Sequence, residues 1–189
     1  KEKGVLFFVD AIQSLGVLPM DVKKDYIDFL SADGHKWMLS VEGLGGFYIS
    51  KEVIDRIRPV TMGWGNVVNA ANFMNYDFTL KKNAKKFEEG TPNTMSIHAF
   101  GAALGLLLEA GIDNIESRVM NLGDCIIAEL PRRNIKIYSS TILEERSGNV
   151  SFILKKNVDL LYSFMMKNKV KLTVRDGLVR LSPYFYDNE

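Results

Sequence analysis

DFLSADGHKWMLSVEGLGGFY, residues 28–48, carries a single lysine, Lys36, between two apolar runs. Ile27, Phe29 and Leu30 open the stretch as a strand, and Phe47, Tyr48 and Ile49 close it as another, after the glycine cluster Gly43, Gly45 and Gly46. Lys36 therefore sits on a loop between strands, beside His35 and Trp37. Partial burial of such an amine depresses its pKa and frees its lone pair, which makes it a candidate Schiff-base nucleophile. Most lysines are solvated surface charges, so Lys36 by itself decides little.

Upstream, residues 5–9 (VLFFV) are continuously apolar, the pattern of a parallel strand covered on both faces, with Asp10 at its carboxyl end. Ligands gather at such ends in α/β sheets. A strand over 27–31 and a third over 46–49 follow, and parallel pairing of the first two would bring Asp10 and Lys36 to one edge of the sheet. Gln13 lies three residues past Asp10, giving D-x-x-Q after a strand.

The remaining chain alternates. A short helix is expected over 51–57, stopped before Pro59. Residues 61–90, with Gly63-Trp64-Gly65-Asn66 and Lys81, Lys82, Lys85 and Lys86, read as loop rather than core. Asn93 or Thr94 caps a helix running to Glu109, and Asp113, with Glu116 in the capping-box position, caps a second running to Leu130. Gly101 and Gly105 in the first of these suggest close packing of another backbone. Strands over 135–137, 149–154, 171–174 and 178–182 and a helix over 157–168 complete the pattern, with Asp176-Gly177 marking a hairpin. This divides the chain into 1–92, a linking helix over 93–112, and a small α+β domain over 113–189.

The composition excludes several classes of function. Lys plus Arg number 24 against 23 Asp plus Glu, so no basic field points to nucleic acid. The longest apolar run, 99–108, is too short to span a bilayer, so no membrane partner is expected. Cys125 stands alone, which excludes an internal disulfide and suits a reducing, cytoplasmic setting. Lys1-Glu2-Lys3-Gly4 leads abruptly into a strand, and the chain is expected to be a fragment.

The order Ile27-Asp28-Phe29-Leu30, Gly34-His35-Lys36 and Gly43-Leu44-Gly45 resembles the lysine signature of the class V aminotransferases, fold-type I enzymes dependent on pyridoxal 5'-phosphate (PLP). The family also holds cysteine desulfurases and isopenicillin N epimerase-like proteins. Phe87-Glu88-Glu89-Gly90-Thr91-Pro92-Asn93 is similar to its F-E-x-G-T-x-N segment, and residues 179–186, VRLSPYFY, to its R-x-S-P-x-x-Y-N ending. The resemblance implies an α/β fold: the C-terminal part of a PLP-dependent transferase large domain, its sheet mostly parallel, followed by a small α+β domain. Lys36 would hold the cofactor and shuttle the substrate α-proton. Asp10 would pair with the pyridine nitrogen, Gln13 with the ring hydroxyl, His35 with the phosphate, and Thr91 with a phosphate in the neighbouring subunit of a homodimer. Arg180 would bind the carboxylate of a small amino-acid or keto-acid substrate, a task suited to its bidentate fork, while Arg175 reads as a hairpin residue.

Asp33 departs from the pattern, because desulfurases of the family usually carry there a serine that helps hold the phosphate, and an acid would repel it. Family members are about twice this length; their amino-terminal half carries an aromatic that stacks on the ring and a helix start that cradles the phosphate. Desulfuration needs a mobile thiolate on a loop before the carboxylate-binding arginine, and residues 175–179, RDGLV, are short and lack cysteine. Transamination is the expected reaction. Epimerisation, elimination, and a non-catalytic lobe that binds its missing half remain alternatives.

Overall fold

The computed structural model describes residues 3–188; Lys1, Glu2 and Glu189, at the outer ends of the first and last expected domains, lie outside them. The chain forms two compact units. One comprises Met20–Leu106 with the chain up to Leu15, and the other Gly16–Pro19 with the chain from Leu107 onward.

The first unit holds a three-stranded sheet in the order β1 (Phe8–Asp10), β2 (Phe29–Asp33), β3 (Gly45–Ile49). β1 and β2 pair in parallel, with Asp10 opposite Ser31, whereas β2 and β3 pair antiparallel, with Asp33 opposite Gly45. The short loop between β2 and β3 explains the second pairing, because a parallel return needs a crossover of a dozen or more residues. Asp28, the acid of the lysine signature, is buried, and its Oδ2 accepts a hydrogen bond from the Phe7 amide at 2.9 Å. That bond extends the hold between the β1 and β2 segments beyond the last ladder pair.

Two expectations for this unit change. Residues 5–8 are exposed among the described residues rather than covered on both faces, and the strand itself is confined to Phe8–Asp10. The helix expected over 51–57 shrinks to a 3-10 turn, Ile54–Arg56, because Ile57 already has extended backbone ahead of Pro59. Residues 61–90 contain two further 3-10 turns, Trp64–Asn66 and Ala84–Phe87, and a bridge between Val67 and Leu80. Asn66 and Lys86 are buried in this stretch, so it is not simply surface loop.

α1 (Thr94–Ala110) begins where Asn93 Oδ1 accepts from the Ser96 amide at 3.2 Å, as a capping residue should. Its Gly101 and Gly105 have nothing within 4 Å of where a Cβ would stand, so the close backbone packing expected of them is absent among the described residues. α2 (Ile112–Arg132) starts two residues earlier than its sequence suggests. Gly111, with φ of +83°, occupies the cap, and Asp113 falls inside the first turn, where its charge faces the positive helix end. No single described helix is long and apolar enough to cross a membrane.

The second unit carries a four-stranded antiparallel sheet in the order β4 (Lys136–Ile137), β5 (Val150–Ile153), β7 (Leu178–Leu181), β6 (Thr173–Arg175), with α3 (Val158–Lys167) between β5 and β6. Leu130, Val150, Phe152 and Val179 form its buried core, with Ile126, Ile137 and Leu161 packed around them. Asp176 and Gly177 join β6 to β7 with φ of 52° and 76°, the left-handed pair that matches a two-residue hairpin.

Candidate active site

Parallel pairing places the carboxyl ends of β1 and β2 at one edge of the sheet, so Asp10 and the turn bearing Lys36 leave it together. Asp10 borders an open cleft of about 310 Å³ that is also lined by Ile12, Ser31, Asp33, Gly46 and Phe47. Gly45 belongs to the strand contact: a Cβ there would stand 2.6 Å from the Ala32 carbonyl. At Gly46 nothing lies within 4 Å of that position, so the wall of the cleft is left bare.

The lysine turn is closely tied. The Gly34 amide donates to the Leu44 carbonyl at 2.9 Å, the Ser40 amide to the Gly34 carbonyl at 2.9 Å, and the Leu39 amide to the Lys36 carbonyl at 3.0 Å. Leu39 holds φ of 56°, a left-handed value uncommon outside glycine and of a kind that collects at functional turns. Trp37 and Met38 are buried and anchor the turn, while Lys36 itself is exposed. The desolvation expected to activate its amine is therefore not supplied by the described residues, since its neighbours turn inward and its own side chain does not.

Asp10 Oδ1 accepts from the Ile12 amide at 3.1 Å, which fixes the carboxylate at the strand end. Gln13 Oε1 accepts from the Trp37 indole N–H at 3.0 Å. This bond sets the amide's orientation and couples the D-x-x-Q motif to the lysine turn. Trp37, which anchors the turn, thus also orients a neighbour in the site; a tryptophan next to the lysine was the available signal, but its partner lies 24 positions away.

His35 Nδ1 lies 4.0 Å from Asp33 Oδ2, both side chains partly open to solvent. The acid that departs from the family pattern therefore has a neighbouring imidazole that can offset its charge when protonated. Thr91 is exposed, on the segment between the Ala84–Phe87 turn and α1.

Arg180 is on β7 in the second unit, opposite Ser151 on β5 and Thr173 on β6. Its Nε is buried with no hydrogen-bond partner among the described residues. A buried unpaired donor is costly, and an anionic ligand would satisfy it. Arg175 is exposed at the hairpin, as its sequence position implies. Two residues after Ser182, Tyr184 is buried and donates its hydroxyl to the Gly16 carbonyl at 2.7 Å. Burial, with a smaller contribution from Tyr186, pushes its phenol up to about 12.

The donor set fits the ring end of a PLP molecule. Asp10 supplies a fixed carboxylate and Gln13 an oriented amide, beside the sheet edge from which the Lys36 turn leaves. At the end where the family holds the phosphate, the His35 imidazole stands beside the opposing carboxylate of Asp33.

This combination of a lysine turn between two strands, an acid at the parallel neighbour's end and a separate α+β unit defines an α/β protein with a cofactor-type site. Residues 1–185 match the family Aminotransferase class-V, and the chain belongs to that family. It is 29% identical over 198 residues to the uncharacterized aminotransferase YcbU of Bacillus subtilis, an alignment covering 100% of this chain and 49% of that protein. A probable cysteine desulfurase of Pyrococcus abyssi is 34% identical over 152 residues, covering 80% of this chain and 37% of its own length. Among solved structures, an apo cysteine desulfurase from Thermococcus onnurineus NA1 is similar with a TM-score of 0.88 and 25% identity, over 99% of this chain and 50% of that one. The chain thus spans half or less of the length of these relatives.

Proposed function

We propose that this chain carries the lysine-bearing part of a PLP-dependent enzyme that acts on a small amino acid, with transamination as its reaction. The observation that carries the reading is the shared sheet edge of Asp10 and the Lys36 turn, with Gln13 tied to Trp37 between them. When bound, PLP supplies an electron-accepting ring that stabilises negative charge at the substrate α-carbon. Asp10 would pair with the ring nitrogen and keep it protonated, and Gln13, its amide held by Trp37, would pair with the ring hydroxyl. Lys36 would hold the cofactor through Nζ, and the same nitrogen, when free, would take the substrate α-proton. Arg180 binds the substrate carboxylate. The active form is a homodimer in which Thr91 reaches a phosphate held by the neighbouring subunit.

Cysteine desulfuration is the second reading, favoured by relatives that bear that name. Against it stands the β6–β7 turn, only Asp176 and Gly177 long, where a thiolate-bearing loop would be required. Cys125 lies instead on α2, whose hydrogen-bonded backbone denies it the reach of a loop.

Borohydride reduction of the full-length protein with PLP, followed by peptide mapping, should label the peptide containing Lys36. A label on Lys51 or another lysine would remove the central assignment. Keto-acid release from amino donors, without sulfide from cysteine, is the expected product pattern; sulfide as the main product would move the assignment to the second reading.

A further inference from the structure

Lys86 belongs to a run of basic residues, yet it is buried while Lys82 and Lys85 are exposed. Its Nζ donates to the Ile54 carbonyl at 2.5 Å and to the Ile57 carbonyl at 2.6 Å. The Ile54 carbonyl also accepts from the Ile57 amide at 3.3 Å, which closes the Ile54–Arg56 turn, and the Ile57 carbonyl stands just past the end of that turn. The same ammonium lies 5.3 Å from the centroid of the Phe87 ring. Burying an ammonium is expensive unless its N–H groups are used, and here they are used to hold backbone.

Phe87 meets Phe47 edge-on, with centroids 5.7 Å apart and planes at 82°, and Phe47 lines the Asp10 cleft. From another side, the Gly65 amide donates to the Glu89 carbonyl at 2.9 Å. A Cβ at Gly63 would stand 2.2 Å from the Glu89 carbonyl oxygen, and one at Gly65 would stand 2.7 Å from that of Glu88, so only glycine permits this approach. The Thr61 hydroxyl donates to the Glu89 carboxylate. Residues 86–89 are therefore held on three sides, and Thr91 follows two residues beyond.

We infer, resting on the role proposed above for Thr91, that Lys86 is a positioning residue: its ammonium locks residues 86–89 to the Ile54 and Ile57 carbonyls and thereby sets where Thr91 is presented. The clamp needs the ammonium, because a neutral side chain of equal length leaves the Ile57 carbonyl without this donor and the Ile54 carbonyl with the Ile57 amide alone.

In the full-length protein, K86M removes the charge at nearly constant length and K86R returns a cation. Without PLP, amide hydrogen exchange across residues 87–93 should quicken about tenfold or more in K86M and recover most of the way in K86R. PLP affinity should fall in K86M and in T91V, and K86M added to T91V should weaken it no further, since a residue that acts through Thr91 has nothing left to position. Unchanged exchange over 87–93 in K86M, or full additivity with T91V, would overturn the inference. If T91V leaves PLP affinity unchanged, the role of Thr91 falls, and the exchange result alone then decides Lys86. Should K86M fail to fold, acetylation footprinting of the unaltered protein still tests the clamp: Lys86 must resist labelling, and labelling as fast as a lysine in a short peptide refutes it.

Discussion

Val150, Phe152 and Val179, on the inner strands of the four-stranded sheet, are 3%, 4% and 0% exposed, whereas Phe7 and Phe8 at the edge of the three-stranded sheet are 51% and 55% exposed. Both sets are apolar and rich in strand formers. In the second unit, α2 brings Ile126, Ile127 and Leu130 onto its sheet, and the core closes from residues of the unit itself. In the first, the described residues leave β1 uncovered, although Phe8 stacks on Phe29 at 6.2 Å. Burial is thus a property of what packs on a strand. The first unit does bury apolar residues, Leu30 and Ile49 on β2 and β3 with Ile27, Trp37 and Met38 among them, so the contrast lies in the uncovered β1 edge and not in the lack of a core.

The sharpest way to break this contrast is Phe152→Ala. Removing a ring from a closed core should cost about 3–5 kcal/mol in urea unfolding of the chain. Gly45→Ala probes the first unit, where the new Cβ would stand 2.6 Å from the Ala32 carbonyl and push β2 from β3. Overpacking of this kind costs about 1–3 kcal/mol, measured the same way. A loss below that range would mean that the lysine-bearing edge yields more easily than its hydrogen bonds imply.

Tyr184→Phe removes the bond to Gly16 and should cost about 1 kcal/mol. Its pH dependence follows from the raised phenol. The unfolded phenol titrates near 10, the folded one at about 12, so the unfolded chain releases its proton first. The contribution to stability is intact below pH ~10 and is lost as the pH climbs to ~12. Ultraviolet titration of the phenols should show a late-ionising tyrosine that Tyr184→Phe abolishes; its persistence in that variant would reassign the shift. The smallest effect is expected at Phe8→Ala, which should change the stability of this chain by no more than about 0.5 kcal/mol. A cost equal to that of Phe152→Ala would erase the difference between the sheets.

Much of the chain's secondary structure was legible because its signals are local. Asp176-Gly177 specifies a left-handed two-residue turn through its own backbone preferences, and Asn93 caps α1 three residues from its partner. Asp113 misled because Gly111 takes the cap by virtue of a positive φ that glycine adopts freely. In the site, the sequence pointed to Asp10, Gln13, His35, Lys36, Thr91 and Arg180, and the structure draws Asp10 and the Lys36 turn to one edge. The Trp37–Gln13 bond and the Lys86 clamp were not legible, since their partners stand 24 and about 30 positions away.

The sequence by itself determined the order of strands and helices, the lysine turn and the family signature, because these depend on periodicity, turn chemistry and neighbouring residue types. Tertiary structure decided that β3 returns antiparallel, that Lys36 is exposed while Lys86 is buried, and that Gly45 and Gly65 carry close backbone approaches. Two lysines are alike in sequence, and only the geometry of their surroundings distinguishes them. The carbonyls of Ile54 and Ile57 compensate the desolvation of Lys86, whereas the turn around Lys36 buries Trp37 and leaves the amine in water.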